Sequence, residues 1–144
     1  MNIKILSVGR VKNPDLRNKI SDYVKRVSRD ARIALQEIKD SDLETEGRKL
    51  IDILDKEDGY VFALSEEGTI YTSAKFAARI GAIQKKLIFV IGGPFGLSPA
   101  VKKRADETLS LSRMTFSHEM VQLFLLEQLY RGISINLNRK YHKA

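Results

Sequence analysis

Apolar positions follow two different spacings along the chain, and these spacings predict strands that alternate with helices. Short apolar runs lie at residues 2–9, 31–38, 60–64 and 87–91, each followed by glycine or polar residues, as is typical of strands. The run at 60–64 precedes Glu66-Glu67-Gly68, which predicts that this strand ends at Leu64 and then turns. The run at 87–91 is apolar at every position, which favours a central strand covered on both faces.

Between these runs, apolar residues three and four positions apart predict amphipathic helices. The first helix is expected to begin with Asn13 as its N-cap and Pro14 in its first turn. Its buried face then contains Leu16, Ile20, Tyr23, Val24 and Val27. Similar patterns predict helices around 43–54 and 76–83. Alternating strands and helices predict an α/β fold with a mainly parallel sheet and flanking helices, and we expect residues 1–144 to form a single domain.

A further helix is predicted in the last third of the chain. Its apolar residues leave little polar surface: Met120, Val121, Leu123, Phe124, Leu125, Leu126, Leu129 and Tyr130. A helix of this composition has to be buried on more than one side. Two interpretations remain open: the helix lies centrally under one sheet, or one of its sides contacts a second subunit in a homodimer.

Composition and charge narrow the functional classes. The chain has no cysteine, which excludes disulfides, thiol nucleophiles and cysteine-based zinc sites and suits a cytoplasmic location. No apolar stretch is long enough to cross a membrane or to act as a signal peptide. The net charge of +7 is uneven, because residues 1–38 and 69–144 are basic and residues 39–68 are acidic. Two basic ends favour a polyanionic partner such as a nucleic acid, and a solvated surface of mixed charge is the alternative.

A glycine-rich segment, Gly92-Gly93-Pro94-Phe95-Gly96, directly follows the predicted central strand. Ligands of open α/β sheets bind beyond the carboxyl ends of the strands. The segment matches neither of the glycine fingerprints for nucleotides. It is therefore either a ligand-binding loop or an ordinary turn.

Three later segments carry candidate chemistry. Residues 109–116 combine a short strand with a loop whose backbone groups suit a flat ligand such as adenine, although a plain connection with Ser117 as the next N-cap fits equally well. His118 resembles the start of a zinc-binding H-E-x-x-H motif, but Gln122 replaces the second histidine, so no metal site is expected. The basic and aromatic tail at 138–143 either stacks on RNA and contacts its phosphates or is unstructured.

Four motifs occur in an order that is found in a known family: Ile91-Gly92-Gly93-Pro94-x-Gly96-Leu97-Ser98, Leu111-Ser112-x-Met114-Thr115-Phe116-x-His118, Glu127-x-x-Tyr130-Arg131 and Tyr141-His142-Lys143. With these motifs the chain resembles, over essentially its whole length, the RlmH family of large-subunit ribosomal RNA methyltransferases, minimal members of the SPOUT class. The resemblance implies an α/β fold with a C-terminal trefoil knot and a homodimer. It also implies that S-adenosylmethionine is used to methylate N3 of a pseudouridine in helix 69 of 23S rRNA, within the assembled ribosome.

The resemblance further implies roles for individual residues. Cofactor contacts fall on Leu64, Gly92, Leu111, Ser112, Arg113, Met114, Thr115 and Phe116. RNA contacts fall on Arg131, Tyr141, His142 and Lys143. The candidate catalytic residues are His118, Glu127 and Arg131, of which the first two are candidates for the base that removes the N3 proton.

Two positions depart from the family pattern. Gln122 stands where relatives usually have arginine, so a phosphate or cross-subunit contact there would pass to Arg113 or Arg131. Asn138 stands where many relatives have glycine, and asparagine tolerates the same left-handed backbone. Two other functions remain open: a non-catalytic ribosome-binding or RNA-binding module of the same fold, and an enzyme that acts on a small molecule in the same pocket.

Overall fold

Strands and helices alternate throughout the computed structural model, which describes residues 1–143; Ala144, the last residue of the expected domain, lies outside the described residues. The elements are β1 (Asn2–Val8), α1 (Pro14–Ser28), β2 (Arg32–Ile38), α2 (Leu43–Asp55), β3 (Gly59–Ile70), α3 (Ser73–Ala82), β4 (Lys86–Ile91), α4 (Pro99–Arg104), β5 (Glu107–Ser110) and α5 (His118–Asn136). The five strands form one sheet in the order β2-β1-β4-β3-β5, with every neighbouring pair parallel. The predicted α/β architecture is therefore confirmed.

Apolar side chains leave both faces of the sheet, and helices cover both faces. On β4, Leu87, Phe89 and Ile91 point to one layer, whereas Ile88 and Val90 point to the other. Helices α1, α3 and α5 pack on the first face, and α2 and α4 pack on the second. The five buried residues of β4 confirm that this strand is central and covered on both sides.

Capping residues fix where the helices begin. The Asn13 side chain accepts hydrogen bonds from the backbone N–H groups of Asp15 and Leu16, as predicted from the Asn-Pro pair. Ser117 caps α5 in the same way, through the N–H of Met120. The short helix α4 was not predicted, although Ser98 caps it and proline follows at its first position.

Helix α5 lies between α1 and α3 and has two different sides. Its inner side is buried and contains Gln122, Leu125, Leu126, Leu129 and Ile133. Its outer side leaves Met120, Leu123 and Phe124 only partly covered. The helix therefore lies under one sheet face, which was one of the two interpretations left open, and its outer side still carries partly exposed apolar surface, so a contact with a second subunit stays open.

Strand β3 differs from the sequence prediction, because it does not turn at Glu66–Gly68 but continues to Ile70. Its pairing with β5 shifts register between Leu64 and Thr69, so the residues between them form a bulge within the strand. Ser110 Oγ donates to the Glu66 carbonyl at 3.2 Å and holds this bulge against β5. The prediction that Leu64 ends its strand is therefore wrong, because pairing with a distant strand outweighs the local turn signal.

Candidate functional site

A narrow cleft lies at the edge of the sheet where the parallel strands have their carboxyl ends. About 90 Å³ of it is accessible to water. Its walls come from β3, from the loops after β4 and β5 and from the start of α5: Leu64, Ser65, Glu66, Gly92, Gly93, Gly96, Leu111, Ser112, Met114, Phe116, His118 and Val121. Six of the eight residues with an implied cofactor contact therefore meet in one place. Ser65, Glu66 and Val121 had no functional signal of their own and were identified only by their position beside the predicted residues, whereas Gly93 and Gly96 belong to the glycine-rich segment already singled out.

The glycine-rich segment is both a tight turn and a wall of this cleft. Gly96 N–H donates to the Gly93 carbonyl at 2.9 Å, and Gly96 has a φ of +75°. A methyl group on Gly92 would lie 2.4 Å from the carbonyl carbon and oxygen of Gly96. Glycine is therefore needed at position 92 for the turn to close on itself, and not only to let a ligand approach.

The loop after β5 is fastened to the bulge of β3 by side chains. Arg113 donates to the Gly68 carbonyl at 2.8 Å and also to the Glu66 carbonyl. Thr115 Oγ1 donates to a carboxylate oxygen of Glu66 at 3.3 Å. These two predicted cofactor residues do not line the cleft, and they hold the loop that does. Because Arg113 is engaged in this way, it is not free to take over a contact that Gln122 lacks.

The start of α5 is fixed to the connection between β1 and α1. Glu119 accepts hydrogen bonds from the N–H groups of Lys12 and Asn13, at 3.0 and 3.2 Å. Gly9, whose φ of +84° favours glycine, lies against the imidazole of His118: a methyl group on it would be in ordinary van der Waals contact, 3.5 Å from Nε2. Among residues 1–143, the His118 side chain has no hydrogen-bond partner of its own, so its imidazole nitrogens are available to a ligand in the cleft.

A second polar cluster lies further along α5, where the tail folds back onto the helix. Arg131 forms an ion pair with Glu127, with N–O distances of 2.6 and 2.9 Å, and its Nη1 lies 3.1 Å from Nδ1 of His142. The Glu127 carboxylate raises the pKa of the Arg131 guanidinium. The Arg131 guanidinium also lies over the ring of Tyr141, 4.9 Å from its centroid. These contacts bring together most of the residues with an implied role in RNA binding.

The tail is anchored to α1, which excludes the unstructured alternative for most of its length. Tyr141 shares a 3.0 Å hydrogen bond with the hydroxyl of Tyr23, and Arg139 forms a bidentate ion pair with Asp30 at 2.6 and 2.7 Å. Burial, followed by the bond to Tyr23, raises the pKa of Tyr141 to about 12. Asn138 has a φ of 57°, which confirms the left-handed backbone expected there. Lys143 is exposed beyond this anchor.

The two candidate bases are not brought together within one chain. His118 and Glu127 are nine positions apart on α5, which places them about 14 Å apart along the axis and on opposite sides of the helix. His118 faces the narrow cleft, whereas Glu127 faces a separate cavity. One chain therefore cannot apply both side chains to a single reacting atom.

That separate cavity is larger, at about 550 Å³, and mostly apolar. It lies between α3, β5 and α5, and its lining includes Tyr71, Phe76, Leu109, Leu111, Phe116, Phe124 and Glu127. It shares Leu111 and Phe116 with the narrow cleft but contains neither Leu64 nor Gly92. Size alone would favour it as a cofactor site, but the set of predicted residues favours the cleft.

The described residues show neither a metal-binding cluster nor a membrane-spanning helix. Residues 1–143 contain no group of three histidine, aspartate or glutamate side chains placed to hold a metal ion. No helix in that range has the length and apolar character needed to cross a membrane.

Comparison with known proteins identifies the class. The family described as "Predicted SPOUT methyltransferase" matches residues 1–142, and the chain belongs to this family. The solved structures it resembles include a probable methylase family protein from Haemophilus influenzae, with a TM-score of 0.62 at 14% identity over 99% of this chain and 71% of that one. They also include the SpoU methyltransferase AviRb from Streptomyces viridochromogenes in complex with AdoMet, with a TM-score of 0.53 at 12% identity over 96% and 59%.

Within that class, the chain is similar to one particular group of curated proteins. It is 38% identical to the ribosomal RNA large subunit methyltransferase H of Bacillus cytotoxicus, over 99% of this chain and all of the relative. The protein of the same name from Bacillus thuringiensis matches to the same extent. The resemblance inferred from the four motifs is thereby confirmed.

Proposed function

We propose that this protein transfers a methyl group from S-adenosylmethionine to N3 of a pseudouridine in helix 69 of 23S rRNA, on the assembled ribosome and in the cytoplasm. The observation that carries the proposal is the gathering of the motif residues at one edge of the sheet, in a chain 38% identical along its full length to enzymes named ribosomal RNA large subunit methyltransferase H. The net charge of +7 suits an RNA substrate. We further propose that residues 1–144 fold as a single domain.

The residue types that line the narrow cleft suit S-adenosylmethionine. Leu64, Leu111 and Phe116 provide apolar walls for an adenine ring, and the glycine turn exposes backbone groups beside them. The accessible space is smaller than the several hundred Å³ typical of a site for a molecule of this size. We therefore expect the loop after β5 to move outward on binding. It carries Met114, which is 75% exposed, at its outer surface.

The chain contributes positioning and proton removal. When bound, S-adenosylmethionine supplies an electrophilic methyl group, and methylation of N3 requires loss of the N3 proton. Both carboxylate oxygens of Glu127 lie within hydrogen-bond distance of Arg131, whereas His118 faces the cleft without a partner in the described chain. Of the two candidate bases, His118 is therefore the better placed to accept the N3 proton. Arg131, Tyr141, His142 and Lys143 would hold the RNA.

A homodimer would resolve the separation of His118 from the Glu127 cluster. The outer side of α5 presents Met120, Leu123 and Phe124, which form an apolar stripe at helical spacing beside Glu127. A second copy packed on this stripe would cover the apolar surface and bring its own Glu127 cluster towards the first copy's cleft. Replacing Leu123 with glutamate should then yield a monomer in sedimentation analysis, and Leu137→Glu, at a 49% exposed leucine off this stripe, should not.

The test of the function is mass spectrometry of 23S rRNA from a strain that lacks the gene. The wild-type gene should restore methylation at N3 of the helix 69 pseudouridine, and His118→Ala should restore it poorly while the purified variant binds S-adenosylmethionine normally. A protein that binds ribosomes but restores no methyl group would instead be the non-catalytic module. Unchanged RNA in the strain without the gene would refute the proposed substrate.

A further inference from the structure

A third cavity, which we call the α1 pocket, opens between α1 and the edge strand β2. It measures about 590 Å³ and is distinct from both cavities described above. Its lining combines apolar walls with cations: Arg10, Val11, Arg17, Ile20, Ser21, Val24, Lys25, Leu35, Glu37 and Gln122. A pocket of this size takes a ligand as large as a nucleotide.

Gln122 lies in the wall that α5 contributes to the α1 pocket. It is 94% buried, because its exposed fraction is 6%. Within residues 1–143 its carboxamide makes no hydrogen bond, and the pocket is the space into which it can direct its polar atoms. Its amide atoms are not sealed in the interior, so they face the open space of the pocket and are available to a ligand. A carboxamide offers a donor and an acceptor side by side, which is the pattern that pairs with the edge of a nucleobase.

The cations of the α1 pocket complement this amide. Arg10 and Lys25 are exposed and have no acidic partner in the described chain. Arg17 donates twice to the Val11 carbonyl, at 3.0 and 3.3 Å, which fixes its guanidinium beside the same pocket. Three basic side chains against one acidic side chain, Glu37, favour a ligand with negative charge. Val24 and Leu35 supply apolar surface on which a base can pack.

We propose that the α1 pocket binds one unpaired nucleotide of the RNA substrate. In this arrangement Gln122 hydrogen-bonds the base edge, and Arg10 and Lys25 contact the flanking phosphates. The proposal rests on the proposed function for its RNA, and it adds a binding site outside the methyl-transfer cleft.

The position of the α1 pocket relative to the cleft fits a single RNA strand. Gln122 is one helical turn after His118, which is about 6 Å along the axis of α5. Arg10 directly follows Gly9, the residue that lies against the His118 ring. A nucleotide close to the target base in the sequence of the RNA is therefore the natural occupant.

The first experiment measures RNA binding by fluorescence anisotropy, with a fluorescein-labelled single-stranded RNA that carries the helix 69 loop sequence. Gln122→Leu removes the amide and keeps the side chain's bulk, and Gln36→Leu, on the opposite face of β2, is the matched control. We expect Gln122→Leu to weaken binding by about five- to a hundredfold, the range for loss of a paired contact to a base. We expect the control to bind as the wild type does. Equal affinities for the two variants would overturn the proposal.

Two further variants address folding and charge. Ser21→Trp fills the α1 pocket from an exposed position and should weaken RNA binding, whereas Asn18→Trp, also exposed on α1 but outside the lining, should not. Lys25→Gln should lower the slope of log affinity against log salt by about 1, while Lys19→Gln leaves it unchanged. An unchanged affinity in Ser21→Trp together with an unchanged slope in Lys25→Gln would refute the site even if Gln122→Leu proved unstable.

Methylation of purified large ribosomal subunits then separates this proposal from the proposed function. If both hold, Gln122→Leu raises the KM for subunits, with kcat and the Kd for S-adenosylmethionine unchanged. If the wild type methylates the subunits and Gln122→Leu matches it in both KM and RNA affinity, the pocket proposal fails alone. If the wild type transfers no methyl group but Gln122→Leu still loses RNA affinity, the proposed function fails and the pocket stands.

Discussion

The hydrogen bond between Tyr23 and Tyr141 should set how firmly the tail is held on α1, and a double-mutant cycle measures it. Tyr141→Phe removes one hydroxyl but keeps the ring, which packs edge-on against Tyr130 at 4.7 Å and under the guanidinium of Arg131. A hydrogen bond in a half-buried setting contributes about 1 kcal/mol to the free energy of unfolding. We therefore expect Tyr23→Phe, Tyr141→Phe and the double variant each to lose about 1 kcal/mol, because either substitution already breaks the bond.

The assay is urea unfolding at one fixed protein concentration, since association would otherwise alter the apparent stability. Hydrogen exchange of the amides near residue 141 reports the local release of the tail. Losses that add up in the double variant would show that the two hydroxyls do not interact, and the reasoning from the 3.0 Å distance would be refuted.

The same pair predicts a dependence on alkaline pH. The pKa of Tyr141 is raised to about 12 in the folded protein, so the folded state holds the phenol proton more tightly than the unfolded chain does. The resulting stabilisation is complete below pH 10, the ordinary tyrosine value, and is lost as the pH rises towards 12. Across this interval the wild type should lose stability more steeply than Tyr141→Phe, and parallel curves would contradict the assignment.

Three other perturbations test the fold and the cleft. The Glu57 carboxylate accepts hydrogen bonds from Lys4 and Lys86 at 2.5 and 2.9 Å, and these bonds lower its pKa. Glu57→Gln should therefore reduce the free energy of unfolding in urea by about 1–2 kcal/mol at pH 7. The loss should be smaller at pH 3, because protonation of Glu57 at low pH removes the same stabilisation from the wild type. Gly68→Ala places a methyl group 2.5 Å from the Thr108 carbonyl oxygen and should cost about 1–3 kcal/mol by separating β3 from β5; wild-type stability would contradict this. Gly92→Ala should both weaken S-adenosylmethionine binding, measured by calorimetry, and lower thermal stability. Phe95→Ala, at an exposed tip of the same segment, is the stability control. Weaker binding without lower stability, or the reverse, would show that the turn and the cleft are independent.

Local signals in the sequence sufficed for the elements whose formation depends on neighbouring residues. The Asn13-Pro14 start of α1 and the wholly apolar β4 belong to this group, because capping and burial pattern act within a few positions. The short helix α4 was missed, since its six residues give too little periodicity to recognise. Its signal was the serine and proline at its start.

Features that depend on distant partners could not be predicted in the same way. Glu66–Gly68 has the composition of a turn, and it stays within β3 because of pairing with β5 and of bonds from residues more than forty positions away, such as Ser110 and Arg113. The family motifs placed His118 and Glu127 in one list of candidate residues. Helical geometry puts them on opposite sides of α5. This follows only because α5 is a continuous helix from His118 to Glu127, which the structure shows.

The order of the strands has a consequence for how the chain folds as it is synthesised. β1 pairs with β4 in the centre of the sheet. Ile3 therefore cannot meet Leu87, and Ile5 cannot meet Phe89, until β4 has been synthesised. At ordinary rates of translation this delay is roughly 4–16 s. During this delay β1 cannot pair with β4. Four apolar side chains of β1 are fully buried in the finished protein: Ile3, Ile5, Leu6 and Val8. Contacts this distant in sequence favour slow folding. We therefore expect the emerging N-terminal segment to be prone to aggregation until β4 has been synthesised.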